Sequence, residues 1–145
     1  MYLKQYNSER LVLVTKIGKE DNMITIAVGG QLNKSQIITA IKKYGGDAFA
    51  AYAASDLQAA QDVRDGKADY YFGCCETGAG GSLAGAIAFL GYGNCASISF
   101  PGRPPKKEIV DSFVKEGKKA FGFTNGNYEE SVKDLILAIK QYSAE

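Results

Sequence analysis

The sequence predicts an α/β protein: a three-layer α/β/α (Rossmann-like) domain with a five-stranded parallel sheet, plus an extra strand in an N-terminal extension. Three observations carry this prediction. From Met23 onward, short apolar runs alternate five times with amphipathic segments, a pattern that parallel strands joined by crossover helices produce. At 145 residues the chain has the length of one domain, enough to bury roughly 70% of its unfolded surface without a disulfide or structural metal. Its three cysteines, Cys74, Cys75 and Cys95, are odd in number, two are adjacent, and no Cys-x-x-Cys occurs, so a disulfide framework is not expected.

Residues 1–22 lie outside the alternation and are read as an extension to a domain spanning 23–145. Within them, Leu11–Ile17 has strand character and Gly18–Asn22 reads as a turn. This strand is expected at a sheet edge or against a neighbouring subunit, because the first core strand should have parallel neighbours on both sides. The five core runs are Met23–Val28, Ala48–Ala53, Tyr70–Cys75, Asn94–Ser99 and Lys119–Thr124, each of strand length. The first helix, Lys34–Tyr44, turns Ile37, Ile38 and Ile41 to one face and stops at Gly45. The second starts from Ser55 as N-cap and ends at Gly66. The third, Gly81–Leu90, is made of small and apolar residues. Close packing on the sheet explains that composition, and so does a subunit contact; a homodimer using this helix is the expectation. The fourth opens at Pro104-Pro105 and is expected to bury Ile109, Val110, Phe113 and Val114. The fifth begins at Asn127 with Glu130 three residues on, the spacing of a capping box.

Charge and composition exclude several functions. Seventeen Lys+Arg against sixteen Asp+Glu leave a net charge of +1, which gives no electrostatic case for nucleic acid or an anionic membrane. No apolar run approaches the ~20 residues of a membrane span, so neither membrane insertion nor a leader is read and a cytoplasmic setting is expected. The absence of histidine removes Ser-His-Asp and Cys-His chemistry and His-ligated metal. No cofactor and no metal are called for.

In a sheet of this class the ligand lies beyond the C-terminal ends of the strands. The loops there contribute Gly30 and Gln31 after the first strand, Arg103 between Pro101 and Pro104, and Asn125 after the last. The richest is Cys74-Cys75-Glu76-Thr77-Gly78-Ala79-Gly80-Gly81-Ser82. A glycine-rich turn into a helix offers backbone N–H groups at its positive end to a phosphate or carboxylate, and Thr77 and Ser82 add hydroxyls. A tight turn that lets the helix approach the sheet also explains the glycines. Strand alternation sends Cys74 and Cys75 to opposite faces. Cys75, facing the loop amides, is then the expected reactive thiol, with Glu76 as a candidate acid/base group and Cys74 and Cys95 as packing. No GxxxxGK[ST], no G-x-G-x-x-G after the first strand and no Cys-x5-Arg is present.

Lys67–Ala84, with Cys75, Thr77, Gly78, Gly80 and Ser82 in register, resembles the ribose-5-phosphate isomerase B / galactose-6-phosphate isomerase family. That resemblance implies the strand order 2-1-3-5-4, Cys75 as proton-abstracting base, and the Gly78–Gly81 amides as donors to an enediolate oxygen. The chain departs from the family where its Asp-His pair is Gln31-Leu32, where Glu76 replaces glycine, and in having no histidine at all. Ile26–Gly30, Gly66–Tyr71, Thr77–Gly80, Ile87–Gly91 and Gly117–Gly122 are similar to a YhfU-like family of uncharacterised bacterial proteins. This second resemblance implies kinship and fold but no reaction. The function expected is binding of a small anionic metabolite, such as a sugar phosphate, at loop 75–82. The alternatives are a non-catalytic regulatory or interaction module and a sugar-phosphate isomerase or lyase using Cys75.

Overall fold

The computed structural model describes residues 23–77 and 80–143 and shows the alternation directly. Its elements are β1 (Ile24–Gly30), α1 (Lys34–Gly45), β2 (Phe49–Ala53), α2 (Asp56–Arg64), β3 (Tyr70–Cys75), α3 (Gly80–Leu90), β4 (Cys95–Ser97), α4 (Lys107–Lys115), β5 (Ala120–Thr124) and α5 (Tyr128–Tyr142). Every strand pair is parallel and the order is β2-β1-β3-β5-β4, the order the isomerase resemblance implies. β1 is flanked by β2 and β3, as expected. The Leu11–Ile17 segment lies outside the described residues.

The two faces of the sheet differ in thickness. One carries Ile26, Val28, Phe72, Phe121 and Phe123 under α1, α4 and α5. Phe72 stands edge-on to both Phe121 and Phe123, with centroids 6.3 and 6.1 Å away and rings at 81°, a favoured aromatic geometry. The other face is built from Ala27, Ala120, Ala59, Ala60 and Ala86, so α2 and α3 sit close to the strands. Its largest fully buried side chain is Tyr71. The ring fits because it lies over Gly73 of its own strand and Gly29 of β1, which face one another in register. A Cβ on Gly29 would lie 2.8 Å from Tyr71 Cε2, and one on Gly73 would lie 2.8 Å from Tyr71 Oη.

Helix starts follow local chemistry in part. Ser55 caps α2 as predicted, accepting from Gln58 N–H at 3.1 Å. α4 starts at Lys107, not at the prolines, because Phe100 and Arg103 first close a tight backbone bridge of 2.7 and 3.0 Å. Ile109 is 44% exposed and is not part of the core. The buried stripe runs through Val110 and Val114 with Phe113 half-buried, and Ile109 is turned 100° away from Val110. The capping box at α5 does not form: the Asn127 amide donates to Phe100 O at 3.4 Å, and Glu130 is exposed. α3 starts at Gly80, one residue earlier than predicted. Part of its small-residue stripe has a partner within the chain, since a Cβ on Gly85 would lie 3.0 Å from Leu57 Cδ2 on α2.

Gly73→Ala is expected to destabilise the fold by ~1–3 kcal/mol, the usual cost of overpacking, in urea titrations. Gly126→Ala, where nothing lies within 4 Å, should shift the midpoint far less. Equal effects would show that Tyr71 yields easily.

Candidate functional site

β1 and β3 are adjacent, yet the chain leaves them toward opposite faces: α1 covers the aromatic face and α3 the alanine face. Diverging loops leave a crevice at the C-terminal ends of the two strands, the position where doubly wound sheets bind ligands. Gly30 sets its near wall. At φ 78° it folds the chain back over β3, and a Cβ there would lie 2.4 Å from Cys74 N. The Cys74 carbonyl then accepts from both Gln31 N–H, at 2.9 Å, and Leu32 N–H, at 3.3 Å. Gly30 N–H donates to Asp56 Oδ1 at 2.5 Å, tying this turn to the first turn of α2. Asn33, in the left-handed region at φ 59°, donates its side-chain amide to Asn125 Oδ1. The loops after β1 and β5 are thereby joined across β3.

The far wall begins at Cys75, which is 5% exposed, with Sγ 3.6 Å from Thr77 Oγ1. It shares a face with Tyr71, and Cys74 lies in the opposite core, as alternation predicts. Glu76 and Thr77 are exposed. The Glu76 carbonyl accepts from Thr124 Oγ1 at 3.0 Å. Thr124 N–H donates to Ser99 Oγ at 3.0 Å, and Ser99 Oγ is 3.1 Å from Ser131 Oγ. Thr124, Ser99 and Ser131 are buried, so a chain of hydroxyls anchors the start of the glycine-rich loop to α5. Gly78 and Ala79 lie outside the described residues, and Gly80, Gly81 and Ser82 form the first turn of α3.

Burial pushes the Cys74 thiol up to about 11, against the lowering effect of a hydrogen bond with Asn33. Burial also raises the Cys95 thiol, which donates to Gly91 O at 3.4 Å. Both behave as packing residues. The Tyr71 phenol is held well above its ordinary value, by burial first and by the Asp56 carboxylate second. Arg103 lies on the loop that leaves β4, two strands from β3, and its guanidinium stacks over Phe100 at 5.1 Å. Among the described residues, no group of three or more Cys, Asp or Glu is placed to hold a metal ion.

Sequence reasoning identified Gly30, Gln31, Cys75, Glu76, Thr77 and Asn125, which meet here. It missed Asn33, Asp56, Tyr71, Ser99, Thr124 and Ser131. Thr124 carried a signal, being the polar residue that closes the apolar run Ala120–Phe123.

The strand order and the diverging loops together define a doubly wound α/β protein whose candidate site lies at the β1/β3 switch. The chain belongs to the family described as "Protein of unknown function DUF2620", whose model matches residues 24–139. It is 37% identical over 118 residues to the uncharacterized protein YhfU of Escherichia coli strain K12, covering 81% of this chain and all of that protein. The same figures hold for YhfU of Shigella flexneri. Among solved structures it resembles the type B ribose 5-phosphate isomerase of Trypanosoma cruzi, with TM-score 0.60, 14% identity, and coverage of 85% of this chain and 88% of that one. That likeness shows the fold.

A thiol whose folded value is raised contributes stability below its unfolded pKa of ~8.5 and loses it as pH rises through the folded value. Unfolding free energy should therefore fall between about pH 9 and pH 11, the Cys74 value. Cys74→Ala, less stable at neutral pH, should show a shallower fall in urea titrations across that range. An unchanged slope would exclude Cys74 as a contributor.

Proposed function

We propose that this protein binds a small anionic metabolite, a sugar phosphate in the first instance, in the crevice between the β1 and β3 loops. The observation that carries this reading is the crevice itself, where Cys75 and Thr77 stand beside the glycine-rich run that leads into α3. Backbone N–H groups at a helix start suit an anion, and the Thr77 hydroxyl adds a donor. The solved structure of similar fold is named a ribose 5-phosphate isomerase, which supports a phosphorylated sugar as the ligand class. Cys75 and Glu76 are the groups available there for proton transfer, with Cys75 at the loop the more direct base. The exposed Ala84 and Ala88 of α3 support a homodimer through that helix.

The absence of histidine favours a second reading, a regulatory module that kept the isomerase-like fold without its chemistry. Binding without turnover fits the first reading, and no binding of any phosphorylated sugar fits the second.

The test is thermal denaturation with ribose 5-phosphate, other sugar phosphates, small carboxylates and inorganic phosphate as separate arms. At 100 times Kd a true ligand adds ~2.7 kcal/mol, a rise of roughly 5–10 °C for a chain of this size. Thr77→Val should cut the shift by more than half. NMR of the ligand over hours separates binding from turnover. No shift in any arm overturns the proposal. Light scattering at micromolar concentration should give twice the chain mass; a monomer would remove the α3 contact.

A further inference from the structure

The fold brings the Asp56 carboxylate to the crevice from outside the loops of β1 and β3. As a helix cap it is not needed, because Ser55 Oγ already accepts from Gln58 N–H at 3.1 Å at the start of α2. Its side chain turns to β1 instead, where Oδ1 accepts from Gly30 N–H at 2.5 Å. The same N–H acts on the Tyr71 phenol, and the charges of Asp56 and Cys75 both bear on that phenol. Carboxylate, phenol and thiol therefore lie together at the upper end of the alanine face. The first turn of α2 also borders α3, since a Cβ on Gly85 would lie 3.8 Å from Asp56 O. Asp56 stands where the ends of β1 and β3 meet the flank of α3.

This carboxylate is half-buried, and among the described residues it forms no ion pair. The Lys34 ammonium, from α1, is taken by the Ala54 carbonyl at 2.7 Å, two residues short of Asp56. A carboxylate has about four lone-pair positions, and Gly30 N–H uses one. In a site that loses water when a ligand enters, the others need donors. Hydroxyl groups supply them without charge, whereas a phosphate or a second carboxylate brought up to Asp56 would be repelled.

We propose that Asp56 selects the ligand of this crevice for its hydroxyl groups: the carboxylate accepts from vicinal hydroxyls at the end of a sugar phosphate remote from its phosphate. This rests on the crevice binding a sugar phosphate, as proposed above, with the phosphate toward the start of α3. The two ends are suitably spaced. Gly80, where α3 begins, precedes Gly85 by five residues, ~7.5 Å along a helix, about the span from the phosphate to the far hydroxyls of an extended pentose phosphate. A site that accepts a ligand hydroxyl rejects the analogue lacking it, because the buried acceptor is then left unpaired.

Titration calorimetry of the full chain with ribose 5-phosphate and 2-deoxyribose 5-phosphate tests this. The unaltered protein should bind ribose 5-phosphate at least ~10-fold more tightly, the worth of one hydrogen bond to a charged group. Asp56→Asn keeps an oxygen for Gly30 N–H but turns one acceptor into a donor, and should reduce that preference to less than ~3-fold. A carboxylate that served only the helix dipole or the Gly30 turn would, when replaced, weaken both ligands alike and leave the preference intact. By NMR of the unaltered protein, saturating ribose 5-phosphate should move the Gly30 amide resonance more than saturating 2-deoxyribose 5-phosphate does. Equal affinities in the unaltered protein, or a preference that survives Asp56→Asn, would overturn the role of Asp56 and leave sugar-phosphate binding standing. Binding of neither sugar would overturn both.

Discussion

The Cys74 carbonyl, at the end of the central strand, receives two N–H groups from the loop that follows β1. That arrangement requires Gly30 in a positive-φ conformation with no side chain, because any Cβ would run into the Cys74 backbone. Much of the candidate site hangs from this fold-back. It turns Gly30 N–H toward Asp56 and brings Asn33 to Asn125. The same carbonyl belongs to the residue whose thiol is buried in the opposite core, so the site and the aromatic core share one peptide unit. Disturbing either one moves the other.

The unequal faces of the sheet serve the same end. An aromatic layer of Phe72, Phe121 and Phe123 lies at the centre of the larger buried cluster, and burial of such side chains stabilises by ~1.5–3 kcal/mol each. The alanine face trades that surface for proximity, letting α3 begin close to the end of β3. Tyr71 is the exception on that face. Its ring lies along Gly29 and Gly73 toward the crevice, where the Asp56 carboxylate acts on its phenol. In a chain without histidine, the Tyr71 phenol, the Asp56 and Glu76 carboxylates and the Cys75 thiol are titratable groups that the fold gathers at this end of the sheet.

The Glu76 carbonyl is held by Thr124, whose own backbone N–H is held by Ser99, in hydrogen-bond contact with Ser131 on α5. Three buried hydroxyls would be costly if unsatisfied; satisfied in series, they lock the entry to the glycine-rich loop against a helix on the far side of the sheet. A loop so anchored at its start can present Cys75 and Thr77 in one arrangement, which is what a binding site needs before a ligand arrives.

What was legible in the sequence is what short-range chemistry dictates. The five-fold alternation placed the strands and helices, Ser55 marked its helix start, and the period of two separated Cys74 from Cys75. The position of the candidate site was inferred from fold class, since strand ends in such sheets are where loops converge. Where local signals competed with distant partners they misled: Asn127 looked like a helix cap but turns to Phe100, and Ile109 looked like core but falls off the buried stripe. Arg103, counted among the loop residues at the strand ends, follows β4, two strands from β3. The contacts that shape the crevice join residues far apart in the chain, Asn33 with Asn125, Gly30 with Asp56, Thr124 with Glu76. No periodicity or spacing encodes such pairs. They exist because β3 lies between β1 and β5, and that strand order, with the side chains that close against one another across it, is decided by packing the whole sheet between its two helical layers.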